Sequence, residues 1–277
     1  QFSYYGFLRP DILIGCLFPQ VPMVYILIGY MLALYLASVL LCYMWLQSED
    51  ISPFFSFIGS VLFLTAGCLF HMHRQIMFVN YLPFLILAFL CVKKRKFRFL
   101  PLCMLLICLH SFYFAIAAFA AIGWYWLRTE KETFWKDSFF KKYIPSAVLS
   151  VCMALLLPTG LVLMEHRRSG GGFSLLKILE LFGPNISMNG ILFNEYGLGL
   201  TLICFYTILA GLNKKNPAKK EFFPDSVLFL SFGLFGIFSY ILNGTLYARP
   251  KILIPFLPLF ILRDLKKAAE LPAEAVK

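Results

Sequence analysis

The chain has 277 residues, 60% hydrophobic, 18% aromatic and 14% charged, with a mean hydropathy of +0.79 and a formal net charge of +11. Soluble globular domains average about 45–50% apolar and about 25% charged residues. The composition therefore excludes a soluble Rossmann or barrel enzyme, a disordered chain, a collagen and a disulfide-stapled mini-domain, and leaves an all-α polytopic transmembrane bundle.

A spanning helix needs about 20 mostly apolar residues. In chain order, such stretches run over 21–47, 54–70 and 76–92, and the basic cluster Lys93, Lys94, Arg95, Lys96 and Arg98 follows. The next uncharged stretch, 99–127, has basic residues on both flanks and is interrupted at His110-Ser111. It reads as a hairpin of two short helices, with both basic ends on one face. A span over 143–164 bends at Pro158. The polar interval 165–190 holds a triple glycine and a short apolar piece, 173–182, suited to the membrane interface. Spans follow over 191–212 and 225–242. The stretch 250–262 carries three prolines and reads as a short or broken helix before a polar tail, 263–277. The whole reads as a single transmembrane domain over 1–277 with about eight to nine membrane segments.

The basic residues sort by side. With Gln1 outside, the loops on the inside carry 18 of the 25 Lys and Arg residues and the outside carries seven. That asymmetry orients the chain with a cytoplasmic C-terminus. It assigns the positive charge to topology and membrane lipids, not to nucleic acid. The eight cysteines lie mostly in apolar runs without a CxxC pair and read as buried thiols. No cofactor motif is evident.

The outside face then holds the unusual polar residues. His73 and Arg74, with His71, sit between the second and third spans and could bind an anionic headgroup, or simply snorkel at the interface; two histidines two apart do not match a helical zinc pair. Arg167 and Arg168 lie beside the glycine-rich turn and could grip a phosphate, or simply solvate a helix end. Arg249, in Tyr247-Ala248-Arg249-Pro250-Lys251, is the strongest candidate for a bidentate contact with a lipid phosphate; an interfacial anchor is the alternative. Glu195 lies just inside a span, where it could act as a general base or cap the helix. Asp11 follows Pro10 in a polar loop and carries little weight on its own. His110 reads as a hydrogen-bonded packing residue. No metal site is assigned.

The aromatic start with Leu17-Phe18-Pro19, the run HRQIMFVNYLPFLILAFL from His73, the segment LLICLHSFYFAIAAFAAIGWYWL over 105–127, Tyr196-Gly197-Leu198-Gly199-Leu200 and the Arg249 segment occur in order. In order and spacing this resembles the YfhO family of bacterial integral-membrane proteins, which is related to the GT-C glycosyltransferases. The resemblance implies a transferase in the bacterial plasma membrane that takes a sugar from a polyprenyl-phosphate donor and delivers it, on the outer face, to a cell-envelope polymer or lipid. It matches Arg249 to the family's late arginine, and His73-Arg74 to its position before the third span. It also implies an acidic residue in the first outer loop, where it activates the acceptor or holds a divalent metal. No match to that loop is present, so the acid is expected upstream of Gln1, in a longer chain. The competing readings are a transporter or flippase for a lipid-linked or small anionic substrate, and a non-catalytic accessory membrane subunit.

Overall fold

A computed structural model describes residues 9–66, 69, 79–129, 141–155, 182–183, 223–243 and 251–269. These residues are helical, with no strand among them, as the all-α reading expects. The chain sorts into two compact units, Gln1–Leu41 with Arg74–Phe173 and Cys42–His73 with Ser174–Lys277.

The first unit opens with α1, Pro10–Leu17, which starts on a proline. Proline suits the first helical position because its missing N–H needs no partner there. A turn through Phe18-Pro19-Gln20-Val21-Pro22 reverses the chain into α2, Met23–Ser48. Gly15 permits the reversal to close. A Cβ there would run into Met23 Sδ and lie 3.9 Å from Ile26 Cδ1, so α1 folds back on the first turns of α2.

Helix α2 has 26 residues and no charge, and its residues from Cys42 onward belong to the second unit. At 1.5 Å per residue it is about 39 Å long, against a hydrocarbon core of about 30 Å. Among the described residues it is the one helix long and apolar enough to cross a membrane. Its burial is one-sided. Met31, Tyr35, Ser38, Cys42 and Trp45 are buried, whereas Val24, Ile28, Leu32, Leu36, Leu40 and Met44 are exposed. The exposed set recurs every fourth residue, which makes a continuous apolar stripe.

Further along, α4 (Leu82–Lys93), α5 (Leu100–His110), α6 (Phe112–Thr129) and α7 (Ile144–Leu155) form the rest of the described first unit. The expected hairpin is present. Phe97, just before α5, stacks on Trp126 near the end of α6, at 4.5 Å between ring centroids. The two ends of the uncharged stretch thus meet. Tyr81 stacks on Phe114 and Phe89 packs on Tyr125, so α4 and α6 run in the same direction with α5 antiparallel to both. Helix α7 starts at the Phe97–Trp126 end, where Tyr143 meets Trp126 edge-on and its hydroxyl donates to Phe119 O. Ser150 donates to Pro101 O at 3.0 Å and docks α7 on α5. At 11 residues, α5 is about 16 Å long and cannot span by itself. The described parts of the stretches 76–92 and 143–164 are these helices, Leu82–Lys93 and Ile144–Leu155.

Both α2 and α4 end in the same way. The N–H groups of Asp50 and Ile51 reach back to Gln47 and Leu46, and those of Arg95 and Lys96 to Val92 and Cys91. This is the Schellman pattern, and it places Asp50 (φ 64°) and Arg95 (φ 53°) in the left-handed region that glycine normally fills.

In the second unit, α3 (Pro53–Leu64) begins at Ser52, whose hydroxyl accepts the Phe55 N–H. It is shorter than the stretch 54–70 read from the sequence. Ser56, Gly59 and Ser60 give α3 a narrow face, and a Cβ at Gly59 would lie 2.6 Å from the tips of both Leu46 and Leu265. The stretch 225–242 forms two helices, α8 (Phe223–Leu234) and α9 (Gly236–Asn243). The Pro-rich stretch is indeed broken: a 3-10 segment, Lys251–Phe256, leads into α10, Leu257–Ala269. That helix runs through the first turns of the segment read as a polar tail. Leu257, Ile261 and Leu265 repeat every four residues and are buried. Lys266 pairs with buried Glu49 at 2.9 Å, and buried Arg263 bonds Ser226 at 3.3 Å.

Among the described cysteines, Cys42, Cys91, Cys103 and Cys108 are buried free thiols, as read from the sequence, while Cys16 is exposed.

Candidate functional site

The end of the first unit opposite the basic cluster gathers polar side chains that are deeply buried. Asp11, in the first turn of α1, has 0% exposure. Arg9 precedes the helix in extended conformation and folds over it, with its side chain 14% exposed. Its Nε donates to Asp11 Oδ1 at 2.9 Å and its Nη2 pairs with Asp11 Oδ2, a two-pronged match of guanidinium to carboxylate. Asp11 Oδ1 also accepts the Ile12 N–H at 3.0 Å. A carboxylate in the first turn is further favoured by the helix dipole.

The α1–α2 reversal carries this pair to a partner. Gly15 meets Ile26, so one turn back along α1 and one turn on along α2 bring Asp11 towards Tyr30. Tyr30 in turn meets His110, at 2.8 Å between hydroxyl and Nε2. His110 Nδ1 lies 2.7 Å from Leu106 O. A carbonyl oxygen can only accept, so Nδ1 carries a proton. In the neutral ring, Nε2 is then the acceptor and the Tyr30 hydroxyl donates to it. The rings of Tyr30 and His110 are parallel, and Phe84 closes on the imidazole at 4.7 Å. The charges of Arg9 and Asp11 act electrostatically on both Tyr30 and His110.

His110 ends α5, and Ser111 is the break in the hairpin. Ser111 Oγ is buried without a hydrogen-bond partner, and so is Asn80 Oδ1 at the head of α4. Buried polar atoms left unbonded cost roughly 1–3 kcal/mol each. Both lie in the turns at this end of the α4–α5–α6 group, beside the Tyr81–Phe114 stack. The end of the unit thus holds a carboxylate, a guanidinium, an imidazole and a phenol, with two acceptors still open. Such a group can hold a proton and pass it along the Tyr30–His110 bond. Among the described residues, no three His, Cys, Asp or Glu side chains converge as metal ligands.

The residues favoured by the sequence, Arg249, Arg74, His73, Arg167, Arg168 and Glu195, lie outside the described residues, as do the stretches 165–181 and 191–212. His110 is hydrogen-bonded through both nitrogens, as its reading as a packing residue expects. Asp11 is the residue that sequence reasoning passed over. Its signal was Arg9-Pro10-Asp11 at the start of a short helix before a span, a pattern that a solvated loop also shows. No protein-family model, curated protein or solved structure matches the chain.

Proposed function

We propose that the chain is a polytopic protein of the bacterial plasma membrane, with a cytoplasmic C-terminus and a GT-C-like helical bundle of the YfhO type. In this reading it transfers a sugar from a polyprenyl-phosphate donor to an acceptor hydroxyl of a cell-envelope polymer or lipid at the outer face. The observation that carries the reading is buried Asp11, forked by Arg9 and set next to the Tyr30–His110 pair at the end away from the basic cluster. Ionisable groups inside a membrane protein are costly and mark functional sites by default.

Asp11 supplies the acid that the resemblance otherwise sets upstream of Gln1. With the Arg9 fork swung aside, its carboxylate takes the proton of the acceptor hydroxyl as that oxygen bonds to the sugar's anomeric carbon. The bond from that carbon to the phosphate oxygen breaks, and polyprenyl phosphate leaves with the electron pair. The basic residues singled out by the sequence, Arg249, Arg74, His73, Arg167 and Arg168, are the candidates for stabilising the leaving phosphate. The exposed apolar stripe of α2 and the gathering of basic residues at one end support the membrane setting.

A transport reading draws on a different observation. The α8–α9 break and the 3-10 segment before α10 are discontinuous helices of the kind that line transporter sites. One experiment separates the two. The intact protein in liposomes is supplied with a polyprenyl-phosphate sugar and an acceptor extract. The transferase reading expects sugar-labelled acceptor, lost in Arg249→Ala at unchanged expression. Movement of the labelled lipid between leaflets without a new glycosidic bond would favour transport.

A further inference from the structure

The geometry points to a binding site for an anionic phospholipid headgroup at the Phe97–Trp126 end of the first unit, formed by Arg98 and Lys142 with the basic turn before α5. This site is separate from the Asp11 cluster and does not rest on the transferase reading.

Three sequence segments meet there. The hairpin brings the 93–98 turn to Arg128, and the start of α7 adds Lys141 and Lys142. Arg98 and Lys142 reach this end from different segments, and an anion between them would be shared by both. Two of the cations are also held in position by rings. Trp126 is fully buried and backs Phe97 at 4.5 Å, and Lys142 Nζ sits over the Phe97 ring at 4.7 Å. Arg98 lies over the Phe99 ring at 4.6 Å. An ammonium or guanidinium fixed over an aromatic face loses less freedom when it takes up a ligand. Both side chains are exposed, and neither has a carboxylate partner among the described residues.

The surroundings decide between a lipid and a dissolved anion. Phe99 and Leu102 are 41% and 54% exposed on the α5 side, and Val148 and Leu149 are 55% and 52% exposed on α7. Exposed apolar side chains therefore lead away from the cations along both helices. A free phosphate makes no use of them, whereas the acyl chains of a phospholipid cover them. A phosphodiester with a neutral polar substituent, as in phosphatidylglycerol, matches the charge; the ammonium of phosphatidylcholine opposes it.

The test titrates the purified intact protein in detergent micelles with dioleoyl-phosphatidylglycerol and, separately, dioleoyl-phosphatidylcholine, and counts bound lipid by native mass spectrometry. Wild-type protein should prefer phosphatidylglycerol by about tenfold or more, and Arg98→Gln/Lys142→Gln should bind it roughly 30-fold more weakly, at about 1 kcal/mol for each cation removed. Lys267→Gln, on α10, should leave binding unchanged. Equal binding of the two lipids by the wild type overturns the site, whether or not the double variant folds. Undiminished phosphatidylglycerol binding by a folded double variant does the same. Displacement by an equal concentration of inorganic phosphate would show that the anion alone is recognised and would overturn the lipid assignment.

Discussion

The Arg9–Asp11 pair makes an asymmetric prediction about stability. Breaking a buried ion pair is costly because of the charge left behind, and the two ends here differ in burial. Asp11 has no exposure, whereas Arg9 keeps 14%. Arg9→Met strands a buried carboxylate without its countercharge and should cost about 3–5 kcal/mol. Asp11→Leu leaves a guanidinium that can swing out, and should cost only about 1–3 kcal/mol. Replacing both removes the charge problem altogether, so Arg9→Met/Asp11→Leu should fall within roughly 1 kcal/mol of wild type. The double-mutant cycle is measured by reversible unfolding in mixed detergent micelles. A pair that is really solvated would show single losses under about 1 kcal/mol, equal for the two ends and additive in the double variant. That pattern would refute the burial on which the candidate site depends.

Other consequences are local and can be measured in the same micelles. His110→Phe keeps the ring packing against Phe84 but deprives the Tyr30 hydroxyl of its acceptor, and should destabilise by roughly 1–3 kcal/mol; Tyr30→Phe in that background should recover most of it. Gly59→Val should cost about 1–3 kcal/mol or more, because the branched side chain enters space held by Leu46 and Leu265; wild-type stability would show that the α3–α10 packing is loose. Arg95→Gly should raise the unfolding midpoint by relieving about 1 kcal/mol of left-handed strain at the end of α4, whereas a drop would mean that the Arg95 side chain contributes more than its backbone costs.

Much of the helical layout was legible in the sequence for stated physical reasons. An uncharged stretch of spanning length can only satisfy its backbone in lipid as a helix, and α2 lies within a residue or two of its expected ends. The hairpin was legible because both flanks of 99–127 are basic and His110-Ser111 breaks the apolar run; Ser111 is the residue between α5 and α6. The continuation of α10 to Ala269 was less legible. The four-residue spacing of Leu257, Ile261 and Leu265 is visible, but the pairing of Lys266 with Glu49 joins residues 217 apart. Composition marks both as surface charges.

The Asp11 cluster shows the same limit on reading a site locally. Asp11 and Arg9 are neighbours in sequence, yet what brings them towards other polar groups is the reversal at Gly15 and the Tyr30–His110 contact between α2 and α5. The Tyr30–His110 bond joins residues 80 apart. A carboxylate after a proline reads as loop until those tertiary contacts are known. Arg249, by contrast, drew attention through the Pro-rich segment that it precedes, a cue available from neighbouring residues alone.

The central claim is that Asp11 takes the acceptor proton. Its most direct test compares wild-type protein and Asp11→Asn in steady-state sugar transfer from a polyprenyl-phosphate donor, in liposomes, at matched folded protein. In Asp11→Asn, kcat should fall by about 100-fold or more with the donor KM little changed, because the amide keeps the shape of the side chain but cannot accept the proton. Wild-type kcat in Asp11→Asn would contradict that claim.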